Sequence, residues 1–171
     1  MGLPCPSADE KRLSHNALAA IVAARQAGGE RIVFTNGVFD ILHVGHARYL
    51  AEARALGDAL IVAVNTDSSV RGLKGDKRPI VPEEERAELL ASLACVDYVT
   101  IFDTPTPVPL LEQVRPFIYA KGGDYVLENL PEAPVMRGWG GEVRILSLIR
   151  GRSTTNIIAR IRGTFAAGDK A

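Results

Sequence analysis

Cysteine is scarce in this chain: Cys5 and Cys95 are the only two among 171 residues. Two cysteines cannot build the disulfide framework on which small secreted domains depend. Charge of one sign is not in excess either, since Lys plus Arg and Asp plus Glu both total 20 and the pI is near 6.8. A dedicated nucleic-acid binder carries a basic surplus, so no nucleic-acid partner is expected. No apolar run approaches the roughly 20 residues of a membrane span, so no membrane partner is expected. Met1 to Lys11 lack the basic and apolar stretches of a secretory signal. Met1-Gly2 opens like a myristoylation site, but Pro6 stands where Ser or Thr is needed. A cytoplasmic location is the expectation.

What is present is an ordinary globular composition, 47% hydrophobic and 23% charged, in a length suited to one domain that buries a substantial core. Two prolines in residues 1–7 make a loose tail. Residues 8–26 place Leu13, Leu18, Ile21 and Val22 near helical spacing, and Gly28-Gly29 ends that run. Residues 1–29 are therefore read as a tail and helix, 30–163 as the domain, and 164–171 as a second tail. Continuous apolar runs at 31–34, 60–64, 97–102, 117–120 and 143–146 read as strands covered on both faces. Helices are expected over 45–56, 83–93, 107–114 and 153–162. The alternation implies an α/β fold, a Rossmann-like doubly wound five-stranded parallel sheet. Ligands of such folds sit at the carboxyl ends of the strands, which directs attention to the loops after Phe34, Val64, Ala120 and Leu146.

The chain has three histidines, and His43 and His46 flank Gly45 where a helix begins after the first strand. A helix N-terminus attracts anions, and the absence of a Cβ at Gly45 lets a phosphate or flat base approach the backbone. Two imidazoles there can hydrogen-bond a phosphoryl group as its charge redistributes. The two histidines alone fall short of the three or four ligands that zinc takes, and Cys5 in the loose tail and Cys95 at an apolar helix end are not placed to complete a set, so no metal site from protein side chains is expected. Ser153-Thr154-Thr155 at the last helix start suits either phosphate binding or simple N-capping.

The stretch Thr35-Asn36-Gly37-Val38-Phe39-Asp40-Ile41-Leu42-His43-Val44-Gly45-His46 resembles the signature of the HxGH nucleotidyltransferase superfamily, in its cytidylyltransferase-like branch. Ser153-Thr154-Thr155 resembles that family's second element, and the likeness covers roughly residues 31–162. The resemblance implies a nucleotidyltransferase in which His43, His46 and Lys74 are catalytic. It implies nucleotide contacts from Asn36, Gly37, Val38, Phe39, Gly45, Arg86, Lys121, Gly122, Asp124, Ser153, Thr154 and Thr155, and Mg²⁺ accompanying the nucleotide. Arg86 suits equally a surface ion pair, Asp40 either the acceptor sugar or its own loop, and Trp139 either packing or sugar contact.

Within the branch the chain is similar to the adenylyltransferases that join ATP to D-glycero-β-D-manno-heptose 1-phosphate, giving ADP-heptose and pyrophosphate. The residues that carry this likeness include Leu73-Lys74-Gly75, Arg78-Pro79, Lys121-Gly122-Gly123-Asp124-Tyr125 and Ser153 to Ile158. That activity occurs fused to a kinase or alone, so a separate heptose kinase acting upstream is expected, as is a homodimer. A CTP-dependent glycerol-3-phosphate cytidylyltransferase is the alternative, as is a GTP-dependent heptose 1-phosphate guanylyltransferase. Leu148 to Arg152 lack the first arginine of the Arg-Thr-x-Gly run that the glycerol-3-phosphate enzymes carry, which counts against CTP. A nucleotide-binding regulatory module is the reading from another class.

Overall fold

The computed structural model describes residues 6–123, 125–147 and 151–166. Its centre is a sheet of five parallel strands, β1 (Ile32–Gly37), β2 (Ala59–Asn65), β3 (Tyr98–Phe102), β4 (Ile118–Gly122) and β5 (Glu142–Leu146). The spatial order is β3-β2-β1-β4-β5. Strand order reverses between β1 and β4, so the crevice above those two strands is where this topology places a ligand. Every residue of β2 is buried, as expected of a strand covered on both faces.

Side chains of successive residues leave opposite faces of β1. Val33 joins one core layer with Tyr49, Leu50 and Ala53 of α3 (Val44–Arg54) and with Ala87, Leu90 and Ala91 of α5 (Glu83–Ala91). Ile32 and Phe34 join the other, with Leu18 and Val22 of α2 (His15–Ala27), Leu110 and Leu111 of α6 (Val108–Val114), and Met136 of α7 (Glu132–Arg137). Burying one such side chain stabilises by about 1.5–3 kcal/mol, so α2 is held firmly through Leu18 and Val22. It belongs to the domain core and is no appendage to residues 30–163.

Three elements differ from the sequence expectation. Residues 8–26 form two helices, α1 (Ala8–Lys11) and α2, capped by Ser7 and Ser14. Between them the edge strand β3 captures the backbone: Leu13 N–H donates to the Val99 carbonyl at 2.9 Å, and Thr100 Oγ1 donates to the Leu13 carbonyl at 2.8 Å. The stretch after β2 is helical, α4 (Asp67–Lys74), with Thr66 as its cap. A further short helix, α7, carries Pro134 near its start, where proline is tolerated. No helix among the described residues is long and apolar enough to cross a membrane.

Candidate active site

The β1–α3 loop folds back on itself at Phe39, whose φ of 48° is left-handed. Its ring covers Gly37, where a Cβ would stand 3.0 Å from the ring edge, and meets His46 edge-on at 5.2 Å. Tyr49 pins α3 beneath this loop. Its hydroxyl lies 2.6 Å from Thr35 Oγ1 and donates to the Ala120 carbonyl at 3.0 Å. Burial pushes that phenol up to about 12, so it stays a neutral donor.

His43 is the N-cap of α3, and its Nδ1 accepts the Gly45 N–H at 3.1 Å. An accepting Nδ1 leaves the ring proton on Nε2, free to donate outward. The rings of His43 and His46 stack at 3.9 Å with an 18° interplanar angle. Burial lowers the pKa of His43; burial, and then the neighbouring His43, push His46 down to about 4. At neutral pH the pair is therefore uncharged, able to donate hydrogen bonds without two stacked imidazolium ions repelling each other. His46 Nδ1 is buried without a hydrogen-bond partner among the described residues. A Cβ on Gly45 would stand 2.8 Å from His43 Cε1 and Nδ1. The space at Gly45 is thus filled by His43, whereas the sequence suggested room for a ligand.

The last helix, α8 (Thr154–Ala166), brings its start to the same place. Ser153 Oγ accepts the Asn156 N–H at 3.2 Å, a cap, and Thr154 Oγ1 donates to the Ile41 carbonyl at 3.3 Å, tying α8 to the histidine loop. A cleft of about 280 Å³ lies between them, lined by His43, Val44, Gly151, Arg152, Ser153, Asn156, Ile157 and Arg160. Ser153 therefore caps and also lines the cleft, while Thr155 is exposed beside it. Arg152, Asn156 and Arg160 were not singled out from sequence. The available signal was Arg152 directly before Ser153 and the helical spacing of Asn156 and Arg160 after it.

Asp40 is 1% exposed. Its Oδ2 accepts from Arg78 Nε at 2.5 Å, and its Oδ1 accepts the N–H groups of Ile80 and Val81 at 2.8 and 2.9 Å. Of its two sequence readings, the loop is the one the contacts favour. Arg86 is 0% exposed, so the ion pair it makes with Asp67 is held by a buried guanidinium and not at the surface, and its donors are taken by the protein. It donates to the carbonyls of Val81 (2.9 Å), Val38 (2.6 Å) and Asn65 (2.8 Å) and to Asp67 Oδ1 (2.7 Å). A rigid guanidinium fork suits this task; it clamps the β1 loop to the end of β2 and the start of α4.

Lys74 ends α4 and is exposed, with no hydrogen bond or ion pair among the described residues. Lys121, at the end of β4, donates to Tyr119 Oη at 2.9 Å and lies 3.4 Å from Glu132 Oε1. Asn36 Oδ1 accepts from Tyr119 Oη at 2.6 Å. Gly122 ends β4 beside Gly123, whose φ is 135°. Asp124 lies outside the described residues. Trp139 donates its indole N–H to the Pro116 carbonyl at 3.0 Å, at the end of β4 away from the histidines, and packs against the core; of its two sequence readings, packing is the one the contacts favour. Among the described residues no group of three His, Cys, Asp or Glu side chains could hold a metal ion.

The cytidylyltransferase-like family model matches residues 34–160, from β1 through the cleft-facing part of α8. The chain belongs to the cytidylyltransferase-like family. Relatives include the bifunctional protein HldE of Geobacter sulfurreducens, 48% identical over 161 residues, which are 94% of this chain and 33% of that protein. HldE of Geotalea uraniireducens is 51% identical over 157 residues, 92% of this chain and 32% of its own. This family member thus spans about a third of the length of those curated relatives. A crystal structure of the lipopolysaccharide core biosynthesis protein from Thermoplasma volcanium superposes with a TM-score of 0.58 at 32% identity, covering 72% of this chain and all of that one. Pantothenate synthetase from Thermus thermophilus shares the fold, with a TM-score of 0.59 at 18% identity over 86% of this chain and 67% of its own.

Proposed function

We propose that this family member is a nucleotidyltransferase that transfers AMP from ATP to D-glycero-β-D-manno-heptose 1-phosphate, releasing pyrophosphate and forming ADP-heptose. The observation that carries the reading is the single cleft in which His43 meets Ser153 and Arg152 at two helix N-termini, with Arg160 further along α8. Such a cleft suits a polyphosphate, because free N–H groups, helix dipoles and guanidinium forks all favour anionic oxygens. The similarity to HldE and to a lipopolysaccharide core biosynthesis protein supports a cell-surface sugar as acceptor.

In this reading a phosphate oxygen of the sugar 1-phosphate attacks the α-phosphorus of ATP in line. The bond from the α-phosphorus to the bridging oxygen breaks, and pyrophosphate leaves. Phosphoryl chemistry asks the protein chiefly for positioning and charge stabilisation. His43 donates from Nε2 to a phosphate oxygen, and His46, stacked on it, holds that ring in place and supplies a second donor. Arg152, Arg160 and Ser153 neutralise and orient the β- and γ-phosphates. Lys74 brings a point charge to the acceptor phosphate from the end of α4, next to the loop that Asp40 and Arg78 hold. Asn36, Lys121 and the main chain of Val38 and Gly122 hold the nucleotide at the ends of β1 and β4. Mg²⁺ accompanying ATP would supply further neutralisation of phosphate charge, with no protein side chain assigned to hold it. The acceptor is a phosphate monoester, so a kinase reaction on a sugar hydroxyl supplies it; the active species is a homodimer, tested by sedimentation.

Pyrophosphate release with Mg²⁺ tests the reading, crossing ATP, CTP and GTP with both heptose 1-phosphate anomers and glycerol 3-phosphate. Release with ATP and the β-anomer alone is the expected result. Release with CTP and glycerol 3-phosphate reassigns the substrates. Nucleotide binding without release in any combination makes the chain a regulatory module.

A further inference from the structure

Beneath the carboxyl ends of β1 and β4 lie two buried groups with no part in the reaction as written, Tyr119 and Glu132, 0% and 3% exposed. Glu132 opens α7, and its Oε1 lies 3.4 Å from Lys121 Nζ and 3.3 Å from Tyr119 Oη. Its other oxygen, Oε2, is buried without a hydrogen-bond partner among the described residues. A carboxylate so placed is costly unless a cation neutralises it, and Lys121 is the cation at hand. Tyr119 Oη has one proton and two acceptors within reach. Asn36 Oδ1 is the nearer at 2.6 Å, and Lys121 donates to the same hydroxyl at 2.9 Å. Burial, and then Glu132, raise the tyrosine's pKa, so Tyr119 keeps its proton at any working pH.

The network therefore runs Glu132–Lys121–Tyr119–Asn36, from a helix start under the sheet to two adjacent strand ends. Lys121 and Asn36 are the two members that reach the ligand side, both half-buried. We infer that Glu132 is a positioning residue of the nucleotide site, holding Lys121 directly and Asn36 through Tyr119, so that both meet ATP already oriented. The inference rests on the reading of this cleft as a nucleotide site.

The test is a cycle of Glu132→Gln, Lys121→Met and the double variant, read as the Kd for Mg-ATP by calorimetry and as KM and kcat. Each single variant is expected to weaken ATP binding about tenfold, the scale of one charge-assisted hydrogen bond. The double variant should be no weaker than either single one, and kcat of Glu132→Gln should change less than threefold, because Glu132 touches no reacting group. Unchanged ATP binding in Glu132→Gln overturns the inference. So does a double variant about a hundredfold weaker, which would mean independent action. Tyr119→Phe keeps the ion pair and cuts the Asn36 arm, so it serves where Glu132→Gln does not fold. It should raise Kd about threefold, and no rise overturns the inference. A wild-type protein that binds ATP yet transfers nothing refutes the proposed reaction while leaving the Kd series decisive.

Discussion

Gly45→Ala separates the two reasons a glycine could stand between the histidines. The added Cβ would sit 2.8 Å from His43 Cε1 and Nδ1, whereas ordinary contact begins at 3.4 Å, the distance to its next neighbour, Arg152 Cβ. The ring must retreat, and in doing so it stretches the 3.1 Å bond from the Gly45 N–H and slides off the 3.9 Å stack with His46. Against that, replacing glycine by alanine within a helix gains up to about 1 kcal/mol. The net change in stability should therefore stay within about 1 kcal/mol, while displacement of a transition-state donor costs about a hundredfold in kcat. Pyrophosphate release reads the rate and a thermal melt reads the stability. The decisive arm repeats the substitution in His43→Ala. With the imidazole gone the new methyl group clashes with nothing, so it should cost less than threefold. An equal loss in both backgrounds would refute the argument, and would mean that the space at Gly45 serves the ligand directly.

Arg86→Lys keeps the charge and loses the fork, and a single ammonium cannot reach acceptors spread over Val38, Asn65, Asp67 and Val81. A loss of about 3 kcal/mol, seen as a fall of roughly 6–12 °C in Tm, is expected, and an unchanged melt refutes the clamp. Asp40→Asn removes the charge facing Arg78 and should cost about 1.5–3 kcal/mol in denaturant unfolding. It should also raise the acceptor KM more than the ATP KM, and the reverse order would place this loop on the nucleotide side. His46, held near 4 when folded, takes up its proton in the unfolded chain first, at about 6.5. Stability should therefore fall as pH drops from about 6.5 toward 4. His46→Asn should make that slope shallower, and an identical slope would mean that the imidazole is not shielded as described.

The strands were legible because most carry a short apolar run, unbroken from Ala59 to Val64 in β2, though charged residues interrupt β5; the all-parallel order follows from helices on both faces. Less legible were the features made by distant partners. Within residues 8–26 only Ser14, a helix-start residue, hints at the break at Leu13, because the carbonyl that captures its backbone belongs to Val99 on the sheet edge. Arg86 reads as a surface residue in an acidic helix start. Its four acceptors lie in three other segments, which only the fold brings together. Glu132 is hidden in the same way, between two prolines in a stretch with no clear period.

The histidine motif was found from its spacing, yet the spacing means something different once the fold is known. Phe39 fills the space above Gly37 and touches His46; His46 stacks on His43; His43 fills the space above Gly45. In a sequence, a glycine shows that a Cβ is missing and leaves unsaid whether ligand or protein occupies the gap. Here both gaps are occupied by the motif's own rings. The two glycines, the phenylalanine and the two histidines therefore form one packed unit, and a change at any of them moves the imidazoles. A ligand then meets donors already set, which is the arrangement that makes neutral histidines useful: they need no reorganisation when charge develops on a phosphate.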